Sequence, residues 1–353
     1  MLQEPDDPAE SIRMLTESAS AMVPPDGSLD HIRAARFTNP GFPRERWATL
    51  VEMGWLHLRL SEDAGGLGLG RREAVALSRV LGGGLVPEPY LAGLFALDLM
   101  AAAGCLEDIE PVLEGASIVF PACQSACDSM DPLAGVRVSG GRLTGEKIAV
   151  SAGADAFAVT TAQGLALLPR NAPGLSIEHM TMHDGTFRER LTFVDTPCDL
   201  HACDAIEDSL HDAMLLHAGY LQGAAERAFD ITLDYLRTRR QFDVAIGSFQ
   251  ALQHRATEVK VQLELARASI DAAATALDLG KSPTRMAVYR ARARAGGLAR
   301  LVAREAVQMH GAIGYTDEAD IGLYVRKLMV EAGQFAPEYR LRAAFMDQRE
   351  AAE

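Results

Sequence analysis

Two adjacent arginines in the C-terminal half of the chain are suited to binding a phosphate group. Arg239 and Arg240 lie in the segment YLRTRRQFDVAIGSFQ, which covers residues 235–250. A guanidinium group can hold a phosphate through two parallel hydrogen bonds, a geometry that a lysine does not offer. The segment has an amphipathic pattern, so we predict one helical stretch that begins at Arg239 and continues through Gln250. The alternative for each arginine is an exposed position on a solvated helix face.

A second segment combines an amide side chain with small residues. Its sequence is QMHGAIGYTDE, residues 308–318, and it begins with Gln308. It predicts the end of a helix, where Gly311 and Gly314 let a ligand approach the backbone closely. The alternative for both glycines is that they only end the helix.

In this order and at this spacing, the two segments resemble the FAD-binding segments of the acyl-CoA dehydrogenase family. Arg239 and Phe242 match an R-x-x-F pattern, and Gln308 opens a stretch similar to Q-x-x-G-G-x-G-[FY]. In that family, the two segments bind FAD across a contact between subunits, and the arginine meets the pyrophosphate. The resemblance therefore implies cofactor contacts for six residues: Arg239, Phe242, Gln250, Gln308, Gly311 and Gly314.

The resemblance extends over nearly the whole chain. Trp47, residues 54–56 and residues 61–70 match the family pattern W-x-x-L-x-x-x-G-W-x-x-L-x-x-P-E-x-x-G-G-x-G. Residues 143–159, LTGEKIAVSAGADAFAV, are similar to L-x-G-x-K-x-x-V-x-x-A-x-x-A-D-x-x-x-V. The family layout of helices, then strands, then helices is what this similarity implies.

Hydrophobic patterning indicates the same order of elements. Helical periodicity prevails before residue 115, and short alternating runs separated by turn signals follow, with a hairpin turn expected at Gly140 and Gly141. Farther on, apolar residues recur at helical spacing: Leu252, Ala256, Val259, Leu263, Ala266 and Ile270. We predict a mainly α fold with a central β-domain. It comprises an α-helical N-terminal domain (1–114), a small β-barrel-like middle domain (115–204) and a C-terminal four-helix bundle domain (205–353).

Composition narrows the classes of protein. The chain has 353 residues and a formal net charge of −14, which argues against a nucleic-acid partner because phosphate neutralisation needs a basic surface. No apolar run approaches the roughly 20 residues that span a bilayer, and the acidic N-terminus lacks signal-peptide features, so we expect a cytoplasmic protein. The five cysteines show neither a disulfide framework nor zinc-ligand spacing, and no metal site is expected.

The chain departs from the family pattern in two regions that concern the flavin. Asp243 stands where the family commonly has glycine after the phenylalanine, and Ala312 replaces the second glycine of the pair. The family stretch T-E-P-x-x-G-S-D contacts the flavin ring, whereas residues 121–130 of this chain read PACQSACDSM. Ser125 or Ser129 is the candidate substitute there.

The catalytic base is absent from its usual family position. In the common pattern, a glutamate follows a helix-ending arginine by about nine residues, and Phe335 stands at that offset from Arg326. Glu331 and Glu338 flank this position. A second subgroup of the family carries its base on an earlier helix, where the offset leads to Ala213 beside Asp212. The candidates are therefore Glu331, Glu338 and Asp212, and the alternative for each is a solvated surface acid.

The function implied by the resemblance is FAD-dependent α,β-dehydrogenation of an acyl-CoA thioester by one chain of an oligomer. The chain looks most like the smaller partner subunits of heteromeric acyl-CoA dehydrogenases, which handle bulky or dicarboxylic acyl groups. An electron-transfer flavoprotein-type acceptor is then the expected redox partner. Two alternatives stay open: a structural partner subunit that has lost the cofactor, and a flavin oxidase or monooxygenase on the same scaffold.

Overall fold

The computed structural model describes residues 8–19, 22–24, 26–280 and 284–350. Within these residues, helices come first. The α-helices before the first strand are α1 (Pro8–Ser18), α2 (Asp30–Ala35), α3 (Arg44–Glu52), α4 (Arg71–Gly83), α5 (Tyr90–Ala102) and α6 (Leu106–Leu113). Two short 3-10 turns, Trp55–His57 and Glu62–Ala64, connect α3 to α4.

The strands follow between residues 119 and 201. They are β1 (Val119–Ala122), β2 (Val136–Ser139), β3 (Arg142–Ser151), β4 (Ala156–Thr161), β5 (Gly164–Pro169), β6 (Leu175–Thr181), β7 (Phe187–Pro197) and β8 (Leu200–His201). One four-stranded sheet has the order β1-β4-β5-β8, in which β1 and β4 are parallel, and the other has the antiparallel order β2-β3-β7-β6. Gly140 and Gly141 form the predicted turn between β2 and β3.

The C-terminal part is helical again. Its helices are α7 (Ile206–Thr238), α8 (Gln250–Asp278), α9 (Thr284–His310), α10 (Ile321–Glu331) and α11 (Glu338–Glu350). The mainly α fold with a central β region is thus confirmed. The predicted apolar seam of α8 is buried from Val259 onward, whereas Leu252 and Ala256 are half-buried. No helix in the described ranges combines the length and apolar character needed to cross a bilayer.

The chain forms two compact units that do not coincide with the three predicted domains. One contains Asp30–Ala74 and Pro87–Met214, and therefore both sheets; its aromatic core includes Trp47, whose ring meets Phe120 edge-on at 5.6 Å. The other contains Val75–Val86, Leu215–Glu353 and the described residues of Met1–Leu29, and it is helical. The division at residues 114 and 204 stays a prediction. Strands replace helices close to residue 114, and helices replace strands close to residue 204.

The prediction of one helical stretch from Arg239 to Gln250 is wrong. Helix α7 ends at Thr238, and the short strands β9 (Arg240–Gln241) and β10 (Val244–Ala245) form a two-stranded hairpin. Phe242 and Asp243 between them have φ angles of 52° and 63°, in the left-handed region, which no α-helix accommodates. A 3-10 turn, Ile246–Ser248, then leads into α8.

Candidate cofactor site

The β9–β10 hairpin presents the first cofactor-binding segment to solvent. Arg239 is exposed, and none of the hydrogen bonds or ion pairs found in the described residues involves its guanidinium group. Its backbone is fixed on both sides, because Arg239 N donates to Tyr235 O at 2.8 Å and Ile246 N donates to Arg239 O at 2.9 Å. Phe242 at the turn is 86% exposed. The segment therefore has a rigid backbone and freely accessible side chains.

Gln250 is exposed and is the first residue of α8. The N-cap of that helix is Phe249, whose side chain supplies no capping hydrogen bond. The first backbone N–H groups of a helix have no partner within the helix, and the helix dipole favours an anion at this end. The start of α8 consequently offers donors next to the hairpin that carries Arg239.

The second segment begins in the last turn of α9. Gln308 is exposed there. Gly311 follows the helix in a left-handed conformation, with φ 68°, and a Cβ atom built on it meets nothing within 4 Å, so its backbone is open. Gly314 is different, because its Cβ would lie 3.2 Å from Val307 Cα and from His310 Cβ. Packing inside the 3-10 turn Gly311–Tyr315 therefore accounts for the small residue at position 314.

Two aromatic rings join these segments. Tyr235 stacks on His310, with ring centroids 4.4 Å apart, and its hydroxyl donates to His310 O at 3.4 Å. Tyr235 lies one turn before Arg239, and His310 directly precedes Gly311. Burial lowers the pKa of His310, which favours the neutral ring. Both residues lie inside the two segments that the sequence singled out, but the sequence gave neither of them a role.

These groups fit a dinucleotide phosphate. An arginine without a competing side-chain partner among the described residues, an exposed amide on each of two helices and unsatisfied N–H groups at a helix start are what a pyrophosphate requires. Asp243, the residue in the family's glycine position, is also exposed. The structure brings together Arg239, Phe242 and Gln250 on one segment and Gln308 with Gly311 on the other.

The carboxylate of Asp212 is not a surface acid. Asp212 is buried and accepts hydrogen bonds from Arg71, at 2.9 and 3.1 Å, and from Arg59. Arg59 also contacts Asp98, with 3.2 Å between Nε and Oδ2. Burial raises the pKa of Asp98 to about 6. Two guanidinium groups engage the oxygens of Asp212, which leaves it poorly placed to accept a proton from a substrate.

Glu331 is buried as well. Its Oε2 lies 2.9 Å from His217 Nε2, and its Oε1 lies 3.4 Å from Lys327 Nζ. The ring edge of Phe335 packs against His217, with centroids 5.6 Å apart. An apolar side chain thus occupies the position of the family base, and the neighbouring glutamate is already paired.

Glu338 forms ion pairs with Arg300 and Arg342 at the start of α11. All three candidate carboxylates therefore contact cations, and none is the solvated surface acid of the alternative interpretation. Two of these partners, Lys327 for Glu331 and Arg342 for Glu338, stand at the i,i+4 spacing that a sequence can reveal. The other partners lie on distant elements, and sequence spacing gave no sign of them.

The loop that replaces the family's flavin-ring stretch begins after β1. Ser125 and Ser129 are both half-buried in it. Lys147 on β3 donates to the carbonyl oxygens of Cys123, Pro132 and Ala134 in this loop. Lys147 lies in the segment of residues 143–159 that resembles the family pattern, but a strand that also carries Arg142, Thr144 and Glu146 gave no sign that this one charged residue would be buried.

Family models match both ends of the chain. The model described as "Acyl-CoA dehydrogenase, N-terminal domain" matches residues 10–108, and "Acyl-CoA dehydrogenase, C-terminal domain" matches residues 203–332. The chain is 30% identical over 331 residues to acyl-CoA dehydrogenase IpdE2 of Mycolicibacterium smegmatis, covering 93% of this chain and 96% of that protein. This chain belongs to the acyl-CoA dehydrogenase family. Acyl-CoA dehydrogenase IpdE2 of Mycobacterium tuberculosis is also 30% identical, over 91% of each chain.

Solved acyl-CoA dehydrogenase structures share the fold. A variant of the steroid ACAD Tcur3481-Tcur3483 superposes with a TM-score of 0.88 at 24% identity, covering 98% of this chain and 100% of that one. The ChsE4-ChsE5 complex from Mycobacterium tuberculosis has a TM-score of 0.83 at 24% identity, covering 99% and 98%. Family membership makes the chain an oxidoreductase with FAD as its cofactor, as the resemblance implied.

Proposed function

We propose that this chain takes part in FAD-dependent α,β-dehydrogenation of an acyl-CoA thioester as one subunit of an oligomer. The observation that supports this proposal is the Tyr235–His310 stack, which joins the segment of Arg239 to the segment of Gln308 and leaves both of these side chains exposed. A cation and amides that are exposed on a single chain, and matched to family FAD contacts, suit a cofactor shared with a neighbouring subunit. The six residues Arg239, Phe242, Gln250, Gln308, Gly311 and Gly314 remain the proposed contacts.

The chemistry asks for charge neutralisation and for a base. Bound FAD would accept the β-hydride of the thioester. Arg239 would neutralise the pyrophosphate, and the amides of Gln250 and Gln308 would hydrogen-bond the cofactor. The α-proton of a thioester is weakly acidic, so a desolvated carboxylate has to remove it.

We infer that the base is supplied by a companion subunit. Phe335 occupies the usual position, and the chain's own candidates, Asp212, Glu331 and Glu338, are each held by cations. Carboxylate oxygens that already contact arginine, lysine or histidine are engaged by those groups rather than open to the α-proton of a substrate. The missing base also suits a second candidate function, that of a structural partner subunit, because a chain without its own base does not complete the reaction by itself.

We also propose a class of substrate and an electron acceptor. A bulky acyl group, such as a steroid side chain, fits the relatives whose fold this chain shares, and an electron-transfer flavoprotein-type protein is the proposed acceptor. A cytoplasmic location is proposed from the sequence. Peroxide formation in air with acyl-CoA present would instead indicate the oxidase or monooxygenase alternative.

The decisive experiment measures flavin binding by absorbance. The chain is purified alone and with the protein encoded by its genomic neighbour, as wild type, Arg239→Ala and Arg237→Ala. Arg237 is the matched control, because it is exposed two residues earlier and pairs with Asp234. We expect Arg239→Ala to weaken FAD binding about 10- to 100-fold, since a charge-assisted hydrogen bond contributes about 1.5–3 kcal/mol.

Arg237→Ala should bind FAD like the wild type. An absence of flavin in both wild-type preparations would contradict the dehydrogenase proposal. If the dehydrogenase activity of the companion protein, measured in the presence of this chain, is unchanged by Arg239→Ala, the result would favour the structural partner subunit.

A further inference from the structure

A buried ammonium group lies beneath the loop that follows β1. Lys147 is 0% exposed. Its Nζ donates to three carbonyl oxygens of the loop, those of Cys123 at 3.2 Å, Pro132 at 2.8 Å and Ala134 at 2.7 Å. Thr160 Oγ1 on β4 accepts at 3.3 Å. One side chain therefore binds both ends of a loop that spans residues 123–135.

No carboxylate in the described part of the chain lies within ion-pair distance of Lys147. A buried charge without a counter-ion is costly, and an apolar side chain would fill the same space without that cost. Burial lowers the pKa of Lys147 to about 8, while the Cys123 thiol and the Asp131 carboxyl act in the opposite direction. What the ammonium group adds is a set of strong donors for carbonyls that face inward.

The backbone of β3 completes the attachment. Ile148 N donates to Gln124 O at 2.7 Å, and Glu146 N donates to Gly135 O at 2.8 Å. Immediately after Lys147, the pairing of β3 with β7 shifts register, and Ala149 has a φ of 58°. Such bulges re-aim side chains and are frequent beside functional sites.

The tip of the 123–135 loop is bonded mainly to itself. Ser129 N donates to Ala126 O at 3.1 Å, and Asp131 N donates to Ser129 Oγ at 3.3 Å. Ser125 and Ser129, the candidate flavin-ring contacts, lie in this tip. Its position consequently depends on how firmly the two ends are held.

We propose that Lys147 is a positioning residue for the flavin, because its ammonium group holds both ends of the 123–135 loop and so fixes where the candidate contact, Ser125 or Ser129, would meet the cofactor. This inference rests on the proposed function, since the role of the tip at the flavin ring comes from the family resemblance. Lys147 itself acts through the loop.

The contacts of Lys147 with the 123–135 loop should depend on pH in the opposite sense to the stability of the whole protein. A folded-state pKa of about 8, below the ordinary 10.5, means that the folded protein releases the proton first as the pH rises. Between these two pKa values the unfolded chain binds more protons than the folded protein, so the free energy of unfolding rises with pH over this range. A neutral amine has one donor fewer for the carbonyls, so the loop loosens over the range in which this group makes the whole protein more stable.

The test combines hydrogen exchange with flavin binding in the assembled holoenzyme. Lys147→Met keeps the length of the side chain and removes its donors, and Lys260→Met is the matched control, because Lys260 is exposed and pairs with Glu264. We expect at least tenfold faster amide exchange in residues 125–133 of Lys147→Met, with α8 and α9 unchanged, and about tenfold weaker FAD binding. In the wild type, the rate of amide exchange in the loop, corrected for its intrinsic pH dependence, should rise above pH 8. In Lys147→Met the corrected rate should not change with pH.

A milder variant covers the case in which Lys147→Met does not fold. Lys147→Gln keeps a polar side chain with fewer donors for the carbonyl oxygens of Cys123, Pro132 and Ala134, and it should loosen the same loop by a smaller factor. Unchanged loop exchange in either variant, or a loosened loop with wild-type FAD affinity, would overturn the inference. Flavin binding by the wild-type assembly is therefore measured first. If that assembly binds no flavin, the proposed function is overturned before any variant is compared.

Discussion

Phe242 and Asp243 occupy a two-residue turn that glycine would fill at lower energy. The strands on either side pair Gln241 with Val244 and Arg240 with Ala245, and a two-residue connection of type I′ requires positive φ at both central positions. Both residues satisfy this requirement, and Arg240 Nη2 donates to Asp243 O at 2.6 Å. The glycine that the family commonly has at position 243 therefore has a conformational reason.

Asp243→Gly should stabilise the chain. The left-handed conformation costs a residue with a Cβ about 1 kcal/mol, and glycine recovers most of this despite its greater freedom in the unfolded state. We expect the free energy of unfolding in urea to rise by about 0.5–1 kcal/mol. Asp243→Ala, which keeps the Cβ and loses the short polar side chain, should lower it; equal stability of the two variants would contradict this explanation.

At the scale of elements, buried arginines join segments that are distant in the sequence. Arg292 on α9 is fully buried and donates to Glu331 O at 3.1 Å, Ala332 O at 3.3 Å and Gln334 O at 2.7 Å. These carbonyls follow the end of α10, where a helix leaves its acceptors unsatisfied. The arginine thus fixes the path of the chain into Phe335, whose φ is 67°.

Arg59 has the corresponding role in the unit that contains the sheets. It contacts Asp98 on α5 and Asp212 on α7, with 9% of its side chain exposed. Removing one member of a buried ionic group leaves the others uncompensated. The cluster is therefore a structural joint whose members depend on one another.

Arg59→Met should lower the free energy of unfolding by about 3–5 kcal/mol, because it leaves the buried Asp98 carboxylate without its arginine and leaves Asp212 with Arg71 alone. The comparison is Arg13→Met, which removes an exposed pair with Glu17 on α1 and should cost less than about 1 kcal/mol. Denaturant unfolding followed by circular dichroism measures both. Similar losses in the two variants would show that the buried cluster adds nothing beyond a surface pair.

At the scale of the whole molecule, the apolar side chains left exposed indicate further association. Phe242 is 86% exposed and Tyr315 is 75% exposed. Phe242 lies in the first proposed cofactor-binding segment, and Tyr315 lies in the second. On α8, Val261 and Leu265 are also exposed. Large exposed apolar groups at a site that matches family subunit contacts favour an oligomer.

Phe242→Ser should weaken assembly at least about tenfold, since exposed aromatic anchors contribute strongly to interfaces. Sedimentation equilibrium without FAD, for the chain alone and with its companion, gives the dissociation constant. Leu67→Ser is the control, because Leu67 is 57% exposed but lies outside both segments. Equal dissociation constants for all three proteins would place the subunit contact elsewhere.

The fold was largely predictable because its signals are local. Helical periodicity, the Gly140–Gly141 turn and the apolar seam of α8 depend on residues close together in the sequence, and the structure has each of them. The helix predicted across Arg239–Gln250 was wrong because amphipathic spacing outweighed the turn signals at Asp243 and Gly247. Two short strands with a left-handed turn have too few residues to show a period.

By itself, the sequence determined the family, the order of helices and strands, and the segments that carry Arg239 and Gln308. Only the tertiary structure decided that Asp212, Glu331 and Glu338 are engaged by cations, that Tyr235 and His310 join the two segments, and that Lys147 holds a loop. The physical reason is that the contacts of Asp212 with Arg59 and Arg71, of Glu331 with His217 and of Glu338 with Arg300 are set by packing between distant elements. Spacing along one chain segment does not encode those contacts.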